Sequence, residues 1–239
     1  MISLHWLDAV SAEFPPLDSA LREPDGLLAA GGDLSASRLI CAYRQGIFPW
    51  YSEGEPILWW SPDPRFVLKP GQVKISRSLA KNLRNTTLTL RMDSAFEAVI
   101  SNCSSQPREG QPGTWISEDM KQAYIELHRQ GHAHSVECWE GSTLVGGLYG
   151  VHTGQIFCGE SMFSRQSNAS KIALVHLCRF IQHHGFKLID SQVYTAHLKR
   201  MGAGMIPRDE YIETLQQQSD IKMPDNWGEL FQEFLVTRE

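Results

Sequence analysis

The chain has 239 residues, 42% hydrophobic and 21% charged, with a net charge of −5; that suffices for one large domain or two modest ones with a proper core. No apolar run approaches the roughly 20 residues needed to cross a bilayer, and residues 1–16 show no secretory signal. Five cysteines, widely spaced and without a Cys-x-x-Cys pair, argue for reduced thiols in a cytoplasm and against a disulfide framework or structural zinc.

Residues 1–62 read as a small irregular N-terminal domain. Asp25-Gly26 and Gly31-Gly32-Asp33 are turn chemistry. Ser35 is placed to cap a short helix carrying Leu39, Ile40 and Tyr43, which Gly46 ends. Phe48-Pro49-Trp50-Tyr51 and Trp59-Trp60-Ser61-Pro62 then build an aromatic wall, either for domain packing or for a substrate pocket.

Residues 63–239 form the larger domain. From Arg65 to Met92 there are seven basic residues and no acid, which leaves −12 elsewhere. A basic stripe on an acidic protein suits a phosphate backbone, though a solvated face reads the same way. Val67 to Ile75 is expected to be extended and Ser76 to Leu83 helical, with Arg77, Lys81 and Arg84 on one face. Asp93 is placed to cap a helix carrying Phe96, Val99, Ile100 and Cys103, and Ser117 a helix carrying Met120, Ala123, Tyr124 and Leu127 that Gly131 closes. Ser135–Trp139, Leu144–His152 and Gln155–Phe163 read as successive antiparallel strands. A helix from Asn168 or Ser170 to about His184 follows, then a strand from Phe186 to Val193 and a helix over Asp209–Gln217. The fold class is therefore α+β, with a mixed, mostly antiparallel sheet.

Polar residues inside this sheet carry the chemistry. Alternation puts Asp190 and Gln192 on one face of their strand, roughly 7 Å apart, close enough for the carboxylate to take the Gln amide N–H. The Gln carbonyl oxygen would then face an incoming amine; the alternative is a polar strand end at the surface. Glu160 lies among Phe157, Cys158, Met162 and Phe163, so it needs either an amine partner or a solvent-facing edge. Phe157 and Glu160 fall on opposite faces unless a bulge near Gly159 brings both to one pocket. The polar turn Ser164 to Ser170 offers free N–H groups, for capping or for an anion. No carboxylate or Cys pattern completes a metal set around His128, His132 and His134, so no metal is expected.

Several long blocks occur in one order. They include Gly26-Leu27-Leu28-Ala29, Gly46-Ile47-Phe48-Pro49-Trp50, Leu58-Trp59-Trp60-Ser61-Pro62-Asp63-Pro64-Arg65 and Thr114-Trp115-Ile116. Gly131-His132-Ala133-His134-Ser135, Phe157-Cys158-Gly159-Glu160-Ser161-Met162-Phe163-Ser164 and Asn168-Ala169-Ser170-Lys171 continue them. In these blocks the chain resembles the leucyl/phenylalanyl-tRNA–protein transferase family over nearly its whole length.

The resemblance implies a cytoplasmic, monomeric enzyme with a GNAT-like larger domain and no cofactor. It would move Leu or Phe, and possibly Met, from aminoacyl-tRNA to an N-terminal Arg or Lys, marking the acceptor protein for degradation. It further implies catalysis by Asp190 and Gln192, with Glu160 engaging the amine. Trp50, Trp115 and Phe157 would form the side-chain pocket, and Arg77, Lys81 and Arg84 would grip the acceptor stem. Leu148 stands where the family has Met, and Asn85 where it has a further basic residue. The rival readings are an acyl-CoA-dependent N-acyltransferase and a non-catalytic tRNA-binding module.

Overall fold

Two sheets divide the chain between Trp60 and Arg65. The computed structural model describes residues 4–8, 10–106 and 116–237. In the first sheet β1 (His5–Leu7) runs parallel to β2 (Leu27–Gly31). Helix α1 (Ala36–Arg44) follows; Ser35 accepts the Arg38 N–H at its start, and Gly46 leaves it at φ +74°. The short β3 (Phe48–Pro49) and β4 (Leu58–Trp60) complete the sheet in the order β1-β2-β4-β3. The aromatic wall serves packing here: Trp59 is fully buried, donates from Nε1 to the Gly31 carbonyl at 2.9 Å, and meets the edge of Phe14.

The second part runs β5 (Arg65–Leu68), α2 (Arg77–Asn85), β6 (Thr89–Met92), α3 (Phe96–Ser104) and α4 (Glu118–Arg129). Then come β7 (Ala133–Glu140), β8 (Thr143–Thr153), β9 (Ile156–Ser164), α5 (Ala169–His183), β10 (Leu188–Asp190) and α6 (Ala196–Arg200). β11 (Gly204–Ile206), α7 (Arg208–Gln218) and α8 (Trp227–Val236) end it. The sheet order is β11-β5-β10-β9-β8-β7-β6, and every neighbouring pair is antiparallel except β9 and β10. A parallel pair needs a crossover, which α5 supplies. The mixed α+β sheet read from the sequence is thus present.

Strand β8 divides the interior, its alternation shifted by a bulge at Val145 where Gly146 pairs with Cys138 and Leu144 with Trp139. Val145 and Leu148 join a cluster with α5 and α8, while Leu144, Tyr149 and Val151 join one with α3, α4 and α1. Each fully buried Leu, Ile or Phe contributes roughly 1.5–3 kcal/mol, so α5, burying Ile172, Leu174, Leu177, Phe180 and Ile181, anchors one face. No helix among the described residues is long and apolar enough to cross a membrane.

Three elements depart from the sequence reading. The extended run from Val67 stops at Leu68, because Pro70, which has no N–H to give a ladder, opens a 3-10 turn. Asp93 does not cap α3. It sits at φ +59° and accepts from the Ser135 N–H, while the buried Glu137 on β7 takes the Ser94 and Ala95 N–H groups at the helix start. The strand expected to reach Val193 ends at Asp190, because Gln192 turns to a left-handed φ of +56°. Helix α8, not read from the sequence, closes the lower face with Trp227, Phe231 and Phe234.

Candidate active site

The site forms where β9 and β10 part. Their last paired residues are Cys158 and Asp190; β9 then continues to Ser164 while β10 stops. The wedge is a cavity of about 440 Å³ walled by Leu148, Phe157, Met162, Leu174, Leu177 and Ile189, with Glu160 at its wall.

A β-bulge sets this wall. Tyr149 pairs with Ser161 but Gly150 pairs with Gly159, so Glu160 is the extra residue. The bulge shifts the alternation, placing Met162 against the same cluster as Phe157 and Leu148 while Phe163 joins Tyr149. Gly150 permits the close approach: a Cβ there would overlap the Cys158 carbonyl and the Phe157 ring. The bulge that the sequence required near Gly159 is therefore present, and Phe157 and Glu160 share one cavity.

Glu160 is held by residues distant in sequence. The Tyr43 hydroxyl donates to Oε1 at 2.8 Å, the Tyr124 hydroxyl to Oε2 at 3.1 Å, and the Gln192 side-chain N–H to Oε1 at 3.1 Å. The two phenol oxygens are 2.5 Å apart. Two phenol protons cannot fill three oxygen–oxygen contacts. When Glu160 is ionised both phenols donate to it; when it is protonated, Oε2–H donates to Tyr124, Tyr124 to Tyr43 and Tyr43 back to Oε1, which closes the ring. Burial pushes the Glu160 carboxyl up to about 7, against the opposing pull of the two tyrosine hydroxyls. Burial first, and the Glu160 charge second, raise both phenols well above their ordinary value, so they remain donors.

Asp190 sits in a different environment. Its carboxylate is fully buried and takes a bidentate pair from Arg65, Nε to Oδ1 at 2.8 Å and Nη2 to Oδ2 at 2.7 Å. The Tyr211 hydroxyl donates to Oδ2 at 3.0 Å and the Gln192 backbone N–H to Oδ1 at 3.0 Å. Arg65 lies between the Phe48 and Tyr211 rings, 4.8 and 4.7 Å from their centroids. Burial works against its charge, but the adjoining Asp190 carboxylate more than offsets this and holds its pKa above the ordinary value.

Two expectations are corrected by this geometry. The side chains of Asp190 and Gln192 do not pair: the left-handed turn at Gln192 breaks the alternation and sends its amide to Glu160. Arg65, counted with the basic stripe, is 1% exposed and belongs to the core. Trp50 is not among the described residues lining the cavity; it packs on Trp60 and accepts the Trp60 Nε1–H on its carbonyl. Trp115 lies outside the described residues.

Arg77, Lys81 and Arg84 stand exposed on α2, without an ion-pair partner among the described residues. Leu79 buries the opposite side of α2, and the helix packs on α5, whose Ser170, Leu174 and Leu177 reach the cavity. Asn85 ends α2 beside the α5 start, where Ser167 and Asn168 line a smaller hollow with it. His128 donates from Nδ1 to the Ala133 carbonyl at 2.8 Å and stacks on Phe96, a packing role.

Sequence reasoning missed Arg65, Tyr211, Tyr43 and Tyr124 as site residues. Tyr43 and Tyr124 sit at apolar helix positions and read as core; their hydroxyls were the available signal, because a buried phenol O–H needs a partner.

Known proteins resemble this chain over most of its length. A family model described as "Leucyl/phenylalanyl-tRNA protein transferase" matches residues 67–216, and one for that family's N-terminal domain matches residues 32–63. A protein of Nitrosomonas europaea is 60% identical over 204 residues, covering 85% of this chain and 86% of the relative. One of Chromohalobacter salexigens is 57% identical over 214 residues, covering 90% and 83%. One of Xanthomonas oryzae is 52% identical over 226 residues, covering 94% and 90%. All three are named leucyl/phenylalanyl-tRNA–protein transferase. With its two matched segments and relatives of this closeness, the chain belongs to the leucyl/phenylalanyl-tRNA protein transferase family.

Proposed function

We propose that this chain transfers Leu or Phe, with Met as a further donor, from aminoacyl-tRNA to the N-terminal Arg or Lys of an acceptor protein. The acceptor is thereby marked for degradation. The enzyme acts as a monomer in the cytoplasm, where charged tRNA is found. The observation that carries the reading is the Glu160 carboxyl at the wall of an apolar cavity, with a pKa of about 7 and one acceptor position left open.

The chemistry follows from that placement. The aminoacyl side chain occupies the slot walled by Leu148, Phe157 and Met162. The α-amine of the acceptor, ordinarily protonated with a pKa of about 7.7–8.0, gives a proton to Glu160, whose own pKa is matched to that task. The Gln192 amide N–H is fixed on Glu160, and its carbonyl oxygen, without a partner among the described residues, orients the amine. The amine nitrogen attacks the ester carbonyl carbon; the new amide forms, the ester C–O bond breaks, and the ribose oxygen leaves with the second proton that the nitrogen gives up. The ester is already activated, so holding ester and amine together supplies the main acceleration. Asp190 supports Gln192, and Arg77, Lys81 and Arg84 hold the RNA phosphates.

The test is incubation of the protein with Leu-charged tRNA and a peptide beginning with Arg. Transfer of Leu to that peptide, and none to one beginning with Glu, is expected. Transfer from an acyl-CoA without RNA would overturn the reading.

A further inference from the structure

The Asp190 carboxylate has no lone pair to spare. A carboxylate offers about four acceptor positions, and here Arg65 Nε, Arg65 Nη2, the Tyr211 hydroxyl and the Gln192 backbone N–H fill them. No position remains for the Gln192 side chain, which is bonded to Glu160 instead. The Gln192 backbone is pinned at both ends, because its carbonyl accepts the Phe66 N–H at 3.2 Å. Arg65 and Phe66 are consecutive on β5, so one dipeptide fixes both groups. Gln192 is held at φ +56°, a region that non-glycine residues seldom occupy. That turn takes its side chain out of the strand's alternation and to Glu160.

We propose that Arg65 and Tyr211 are positioning residues: they lock the Asp190 carboxylate so that it clamps the Gln192 N–H and aims the Gln192 amide at Glu160. Asp190 acts as a backbone clamp and passes no charge or proton to the Gln192 side chain. This rests on the reading of Gln192 as the group that orients the amine.

A double-mutant cycle with Leu-charged tRNA and an Arg-initiated peptide tests it. Arg65→Met and Asp190→Asn each strand a buried partner, and each is expected to lower kcat by about 30-fold or more with KM for both substrates within about 3-fold. The pair together leaves no stranded charge, and the Asn oxygen still receives the Gln192 N–H. The double variant should therefore exceed Asp190→Asn in kcat by about 10-fold or more. A double variant no faster than Asp190→Asn overturns the clamp, because the carboxylate charge itself would then be needed.

Should the double variant fail to fold, Tyr211→Phe decides, since it removes one neutral donor of four. A kcat lowered about 3- to 10-fold with unchanged KM supports the clamp, and a wild-type kcat overturns it. If Gln192→Ala transfers as fast as wild type, the reading of Gln192 fails, and the clamp is then read directly from amide hydrogen exchange. Exchange of the Gln192 N–H about 10-fold faster in Tyr211→Phe supports the clamp; unchanged exchange overturns it.

Discussion

The side-chain amide of Gln192 lies 3.1 Å from Oε1 of Glu160, a contact across 32 residues of chain and across the seam where β9 and β10 separate. It ties the only carboxylate at the cavity wall, among the described residues, to the residue that ends β10's regular pairing.

That carboxylate makes the reaction pH-dependent. The transfer rate should rise as pH passes through about 7, where Glu160 ionises, and then level off. Glu160→Gln should lose this limb and fall in kcat by roughly 10²- to 10⁴-fold. Stability should move the other way. The native carboxyl holds its proton up to about 7 and the unfolded one releases it near 4.5, so wild-type stability falls as pH rises between those values. Denaturant midpoints of wild type and Glu160→Gln across that window check the sign.

Tyr43→Phe and Tyr124→Phe each remove a donor that favours the Glu160 anion. The rising limb of the pH–rate profile should shift to higher pH in both. Stability should fall by about 0.5–1.5 kcal/mol for each hydrogen bond removed, measured by thermal or denaturant unfolding.

Leu148→Ala widens the slot opposite Phe157. Stability should drop by about 2–5 kcal/mol, as for other buried leucines. Competition between Leu- and Phe-charged tRNA should shift toward Phe, by an amount within the ~1–3 kcal/mol that one or two methylenes supply.

Lys81→Glu alters an exposed residue on α2, so the melting temperature should stay near wild type. Binding of charged tRNA should weaken, and the slope of log affinity against log salt should lessen by about one unit for each phosphate no longer neutralised. Slower turnover with unchanged RNA affinity would contradict the assignment of this face to phosphates.

The regular parts were legible because local signals set them. Ser35, Ser117 and Gly131 punctuate their helices as read, and the meander of β7, β8 and β9 follows from two tight turns. The requirement for a bulge near Gly159 was also legible, since strict alternation could not serve Phe157 and Glu160 together. The partners of the polar residues were hidden by their distance. Arg65 reaches Asp190 across 125 residues, and Tyr43 reaches Glu160 across 117. No local pattern distinguishes a guanidinium in the core from one on a basic stripe. The left-handed turn at Gln192 carries no glycine to announce it, because tertiary bonds at both its N–H and its carbonyl enforce it.

Tyr43 belongs to α1, beside the first sheet, whereas Glu160 belongs to the second. Excising residues 1–62 would keep every strand of the larger sheet yet open the three-membered proton ring. Such a truncated enzyme would ionise its key acid at a different pH, so the N-terminal layer tunes the chemistry as well as covering it.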